Sequence, residues 1–287
     1  MAQFIISAFA DEASASLEGQ IAALKRNGIS YMEIRNVDGV NVQKMTLEQA
    51  EEIQRELEAN GISVWSVGSP VGKVKLKEDF CFEDYLEDVR HICKLANIFK
   101  TDKIRMFSFF LAYDKAEEVY GYLRRMVEVA KEYGVQLYHE NEKKIYGDTS
   151  ERVLDIMAHV DGLKYIYDPA NYLQVDETAD TTLELLHGKT DYFHIKDVIL
   201  ETGELVPAGH GDGKIDRLIE MITDDKVLSI EPHLAIFEGY STIDDEQMKN
   251  KFHFSSNGEA FDAAVAAVKA LLTKAGYVEK DGAFVKA

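Results

Sequence analysis

Short apolar runs of five or six residues alternate with longer amphipathic stretches along nearly the whole chain. A run that short reads as a buried strand, whereas apolar positions recurring every three or four residues read as a helix with one buried face. The predicted strands are Phe4–Phe9, Tyr31–Arg35, Ser63–Val67, Lys103–Phe107, Gln136–Glu140, Lys164–Asp168, Tyr192–Lys196 and Val227–Glu231. Between them the spacing predicts helices over Ser16–Asn27, Leu47–Asn60, Phe82–Ala96, Ala116–Tyr133, Ser150–His159, Thr181–Leu186 and Ile215–Ile222, and a last one over Glu259–Lys274. Asn27-Gly28, Asn60-Gly61 and Tyr133-Gly134 stop three of the helices with the residue best suited to a left-handed C-cap. Eight strand-then-helix units in series imply a parallel sheet, and eight is the number that closes a (β/α)8 TIM barrel. An open doubly wound sheet would carry a glycine-rich loop after its first strand, where this chain has Phe9-Ala10-Asp11-Glu12. Only four prolines are present and no Pro/Gly/Ser-rich linker interrupts the pattern, so residues 1–287 are expected to form one domain.

Composition narrows the function. Acidic residues outnumber basic ones, 51 to 32, for a net charge of −19. A surface that acidic repels nucleic-acid phosphates and anionic lipid, so neither nucleic acid nor membrane is an expected partner. Cys81 and Cys93 are too sparse for a disulfide framework or a zinc-ribbon spacing, and Cys93 reads as core packing. The N-terminal segment lacks a basic stretch and a long apolar one, and no run approaches a membrane span, so the expected location is cytoplasmic.

In a barrel the C-terminal ends of the strands open into the active-site mouth, so ionisable residues there face a ligand. Here those ends carry Glu33 and Arg35 in YMEIR, Arg105 in KIRMF, Glu140 in LYHEN, Asp168 in YIYDPAN, His194 in YFHIKD and Glu231 in LSIEPHL. Singly, such a carboxylate reads as a helix N-cap or turn residue and such a histidine as a hydrogen-bonded core residue. Glu140, Asp168, His194 and Glu231, however, end four consecutive strands. Three carboxylates and an imidazole converging there would cost several kcal/mol unless a cation neutralised them. An oxygen-rich set without a thiol suits one divalent ion, Mn2+ or Mg2+ first, with Co2+ and Zn2+ also compatible.

With these residues assembled, the chain resembles the xylose isomerase-like TIM barrels, the superfamily of sugar phosphate isomerases and epimerases and of AP endonuclease family 2. The resemblance runs from ISAFADE through GSPVGK, KIRMFSF, YHENEKKIYGD, YDPAN and FHIKD to SIEPHL, and lies in their order and spacing. It implies that Glu140, Asp168, His194 and Glu231 bind one divalent metal, and that Glu140 and Glu231 also shuttle a proton. It implies a metal-dependent isomerase or epimerase of a sugar or polyol derivative, working through an enediolate. A lyase of the inosose dehydratase type is the alternative, because His-Ile-Lys-Asp resembles that branch. The ketose 3-epimerases have a histidine where this chain has Asn171, and an arginine beyond the strand-seven histidine where it runs HIKDVIL. The endonucleases need a larger histidine set than the eight present here, of which His91, His159 and His187 fall on predicted helices.

Asn171 and Lys196 directly follow expected ligand positions and are candidate substrate contacts. Arg105 could hold a substrate hydroxyl or anionic group, or pair with Glu33. His139 alternates with Glu140 and should face the helices; His210 and His233 are read as loop residues; Trp65 is read as barrel packing. GSPVGK lacks the spacing of a phosphate loop. No basic cluster is evident near the mouth, which favours an unphosphorylated carbohydrate or polyol substrate. A homo-oligomer is left open.

Overall fold

The computed structural model describes residues 2–237 and 253–287. Eight parallel strands form the barrel: β1 (Gln3–Ala8), β2 (Tyr31–Ile34), β3 (Ser63–Val67), β4 (Lys103–Met106), β5 (Gln136–Glu140), β6 (Lys164–Tyr167), β7 (Tyr192–Ile195) and β8 (Lys226–Ile230). Each pairs with the next, and β8 returns to β1 in register from Phe4↔Lys226 to Ala8↔Ile230, closing the ring. The chain is thus a (β/α)8 TIM barrel, as the alternating pattern predicts. Helices α1 (Leu17–Arg26), α2 (Leu47–Ala59), α3 (Phe82–Ile98), α4 (Ala116–Glu132) and α5 (Ser150–His159) follow the first five strands. Two helices follow β6, a single-turn α6 (Pro169–Leu173) and α7 (Ala179–Leu186). After β7 comes α8 (Ile215–Met221), and α9 (Asn257–Lys274) is the last helix.

Local chemistry explains the helix limits. Ser16, Thr46, Thr149, Thr178 and Ser256 cap their helices through side-chain oxygens, and Thr46 with Gln49 completes a capping box. Gly28, Gly61 and Gly134 take positive φ after α1, α2 and α4, as expected of C-cap glycines. Among the described residues no helix is long and apolar enough to cross a membrane.

The period of two along each strand sorts the side chains. Leu137, Tyr165, Phe193 and Leu228 join the main core between barrel and helices, while Tyr138, Ile166, Tyr192 and Val227 form a separate apolar cluster with Ile5 and Trp65. That second cluster fills the barrel interior below the mouth, and Trp65 belongs to it as the sequence suggests. One step further along the inward phase come Glu140, Asp168, His194 and Ser229, with Glu231 one step beyond Ser229, all buried.

Two features were not legible in the pattern. A hairpin of β9 (Tyr277–Lys280) and β10 (Ala283–Lys286) lies antiparallel against the start of β1, pairing Gln3↔Val285 and Phe4↔Phe284. It takes the edge of β1 that β2 leaves free, since β2 meets β1 only at Ser7↔Tyr31 and Ala8↔Met32. β3 and β5 end as predicted, but the other six strands end one residue earlier than expected, so Arg35, Asp168, Lys196 and Glu231 lie just beyond the last strand residue. Past that point their side chains turn to one another.

Candidate functional site

Donor atoms of Glu140, Asp168, His194 and Glu231 all lie within 4.8 Å of one another at the mouth. His194 organises them. Its Nδ1 faces Glu140 Oε1 at 2.8 Å and Glu231 Oε2 at 3.3 Å, while its Nε2 meets Glu33 Oε2 at 3.0 Å. Glu33 is held in turn by the hydroxyls of Ser229 (2.9 Å) and Tyr192 (3.0 Å). Burial alone would favour a neutral imidazole, but Glu140 and Glu33 outweigh it and hold the His194 pKa well above the usual histidine value. Glu33 shows the converse: burial would raise it, and His194 with Arg105 and Ser229 brings it below the ordinary carboxylate range.

Cations hem the cluster on its other sides. Arg35 makes a bidentate pair with Asp11 (2.8 and 2.9 Å) and reaches Glu231 Oε1 at 2.7 Å. Arg105 donates to Glu140 Oε2 at 3.2 Å, Glu231 Oε1 at 3.4 Å and the Gly68 carbonyl at 3.2 Å. Its expected alternative, a direct pair with Glu33, is not formed; β5 and β8 bring stronger partners. The ring of Phe9 carries both guanidiniums, 4.4 Å from Arg35 and 4.9 Å from Arg105. A glycine is required at 68 because a Cβ there would stand 2.5 Å from Phe9 Cε1. Lys196 Nζ lies 2.9 Å from Asp168 Oδ2. Burial pushes Asp168 up, as do Glu140 and Glu231, and Lys196 only partly opposes them. Glu231 is also penalised by burial, yet the close approach of His194 and His233 and the charge of Lys196 hold it well below the usual range.

The local sequence explains how these groups stay in place. Asp168 Oδ1 accepts from the Asn171 backbone N–H at 3.1 Å, so it N-caps α6 with Pro169 in the first turn. Asn141 Nδ2 donates to the Asp168 carbonyl and Asn141 Oδ1 accepts from the Asp168 N–H, both at 2.9 Å. Asn171 Nδ2 donates to the Asn141 carbonyl at 2.9 Å, which commits that amide to bracing β5 against β6. Asn141 was missed from sequence, although it directly follows Glu140. Asp11 and Glu12 were also missed as site residues, the only signal being their position after β1.

The remaining histidines divide. His139 faces outward against Ser108 Oγ at 2.9 Å, and burial pushes its pKa down to about 3, so it is a neutral packing residue. His210 is exposed. The glycines around it serve Asp197, whose carboxylate accepts from the N–H groups of Gly209 (2.8 Å), Gly211 (3.0 Å) and Gly213 (2.9 Å). His233 is a loop residue but a buried one, its N–H donating to Glu12 Oε2 at 2.8 Å and its Nε2 lying 3.6 Å from Glu231 Oε1.

The donor set fits a metal ion. His194 turns one nitrogen to two of the cluster's carboxylates and ties the other to a third, Glu33, the arrangement that fixes the tautomer of a ligating imidazole. Three carboxylates and one nitrogen form an oxygen-rich set open to a divalent cation. The cluster could therefore hold one.

No curated protein sequence matches the chain. Among solved structures it is similar to the probable 3-DHS dehydratase AsbF of Bacillus anthracis, with 17% identity, 94% of this chain and 99% of that one covered, and a TM-score of 0.70. It is also similar to the IOLI protein with a bound zinc atom (15% identity, 94% and 98% covered, TM-score 0.72). An L-ribulose 3-epimerase aligns at 18% identity over 96% of this chain and 97% of its own, with a TM-score of 0.68. At these identities the likeness establishes the fold, and the neighbours include both epimerase and dehydratase chemistry. The xylose isomerase-like TIM barrel model matches residues 21–248. With the closed barrel, this places the chain in the xylose isomerase-like TIM barrel family.

Proposed function

We propose that this protein is a divalent-metal-dependent isomerase or epimerase of a sugar or polyol derivative, with Glu140, Asp168, His194 and Glu231 as ligands. The observation that carries the reading is His194, with Nδ1 turned to Glu140 and Glu231 and Nε2 anchored on Glu33. A metal held there would polarise a substrate carbonyl and the adjacent hydroxyl, acidifying the C–H between them. Mn2+ or Mg2+ suits the donor set best, with Zn2+ and Co2+ accommodated.

Glu140 and Glu231 are the acid/base pair in this reading. Glu231 is the more encumbered carboxylate, since its Oε1 takes both Arg35 at 2.7 Å and Arg105 at 3.4 Å. Glu140 has a single guanidinium contact, Arg105 at 3.2 Å, and is assigned the first proton abstraction, forming an enediolate of the substrate. Arg105 and Lys196 would steady substrate oxygens, and the side-chain oxygen of Asn171 would accept from a substrate hydroxyl. A second reading, a lyase, is favoured by one feature: Lys196 is a buried ammonium beside Asp168. There it could protonate a departing β-hydroxyl as water while Glu140 takes the α-proton.

The test has two arms. Metal-depleted protein reconstituted with Mn2+ should retain close to one ion per chain, and His194→Ala or Asp168→Ala should greatly weaken that binding. Equal metal in wild type and both variants would reject the ligand set. Keto-sugars and keto-polyols, inososes included, are then screened in D2O. Glu140→Gln and Glu231→Gln should keep some metal while turnover and deuterium incorporation next to the carbonyl fall by ~10²–10⁴-fold. Near-normal turnover in both would remove the acid/base assignment, and a dehydrated product in place of an epimer would select the lyase.

A further inference from the structure

Beside the cluster lies a cavity of about 240 Å³ lined by Arg35, Lys44, Lys73 and Arg105, with Asn41 and Gln43 among its polar walls. None of the residues lining it is acidic, in a chain with 51 acidic and 32 basic residues. The four cations come from positions 35, 44, 73 and 105, so only the closing of the barrel assembles them. Arg35 and Arg105 also contact Glu231, so the cavity adjoins the ligand cluster. Arg105 Nε is buried and has no hydrogen-bond partner among the described residues. Lys73 is set in place by Glu142 at 2.9 Å and by the ring of Phe107 at 4.4 Å. Lys44 is exposed. A larger groove next to it shares Lys73 but carries Asp79, Asp84 and Asp88, which disfavour an anion there.

We propose that this cavity is a subsite for an oxyanion group, a carboxylate or a phosphate, carried by the substrate. Arg35, Arg105 and Lys73 are each already paired with a carboxylate outside the cavity lining, whereas Lys44 is exposed; lining one cavity that carries no carboxylate, such guanidinium and ammonium groups recognise an oxyanion through charge-assisted hydrogen bonds. Binding there would leave the rest of the molecule at Glu140 and Glu231. The inference rests on reading that cluster as the reactive centre, and it defines the substrate class as an anionic keto-sugar or keto-polyol.

Calorimetric titration of the intact protein, with and without Mn2+, uses inorganic phosphate, D-ribulose 5-phosphate, D-glucuronate and neutral D-ribulose as probes. At least one charged probe should bind saturably and about tenfold or more tighter than D-ribulose. Lys44→Glu and Gln43→Glu should each weaken it by about tenfold or more, while Lys44→Arg stays within about threefold. Tighter D-ribulose 5-phosphate assigns phosphate; tighter D-glucuronate assigns carboxylate. Equal affinity for charged and neutral probes, or indifference to both acidic substitutions, overturns the subsite. Metal content is measured in parallel. Wild type that binds the anion but no metal fails the proposed function alone, and variants with full metal and unchanged anion affinity fail this inference alone.

Discussion

His194 is bounded by carboxylates on both ring nitrogens, and the two contacts have different consequences. Those at Nδ1 belong to the proposed ligand cluster, whereas Glu33 at Nε2 orients the ring. A carboxylate in that outer position fixes the tautomer and raises ligand basicity, and its loss typically costs ~10–100-fold in metal affinity. Glu33→Gln should therefore weaken Mn2+ binding by about that factor in chelator competition, with the fold unchanged by circular dichroism. Affinity within about twofold of wild type would show that Glu33 does not orient the ring for metal binding. The sequence placed Glu33 at a strand end but gave no means of choosing its partner. The bulge between Met32 and Glu33 in the β2–β3 register is a backbone feature that no side-chain pattern reports.

At the scale of single elements, the segment after β7 shows how a loop positions a site residue. Asp197 follows Lys196 directly and accepts N–H bonds from Val198, Gly209, Gly211 and Gly213, folding the Gly-rich loop back over the start of a short hairpin. A Cβ at Gly211 would stand 2.4 Å from Asp197 Oδ1. The glycines thus let backbone approach a carboxylate of the chain itself, in a segment where the sequence analysis reads His210 only as a loop residue. Asp197→Ala strands several donors and should cost roughly 2–4 kcal/mol in urea denaturation. Asp197→Asn, which keeps one acceptor, should cost less. A change under about 0.5 kcal/mol for Asp197→Ala would show that water replaces the carboxylate without penalty.

At the scale of the whole molecule, the terminal hairpin acts as part of the barrel floor. Tyr277 packs edge-on to Phe4 with ring centroids 5.0 Å apart, and Phe4, Tyr277 and Phe284 are all buried. Deleting residues 277–287 exposes the first half of β1 and removes two aromatic burials, worth ~1.5–3 kcal/mol each. The midpoint of thermal unfolding should fall by on the order of 10 °C. A truncated chain melting within a degree or two of wild type, roughly the effect of 0.5 kcal/mol, would make the hairpin an appendage.

The alternation of apolar runs and amphipathic stretches determined the fold, because burial of strands on both faces and of helices on one is a local periodicity. The same period carried the inward phase of Glu140, Asp168, His194 and Glu231, since residues that end consecutive strands in phase must meet once the ring closes. Ring closure itself decided the rest. Asn171 became a brace because the Asn141 backbone lies opposite it, and Arg105 took Glu140 and Glu231 as partners because β5 pairs directly with β4 and β8 lies across the mouth from it. Lys44 and Lys73 are scattered basic residues in a strongly acidic chain until β2 and β3 set their loops side by side. Electrostatic partnership depends on distance in space, and sequence separation contains that distance only where a single element spans it.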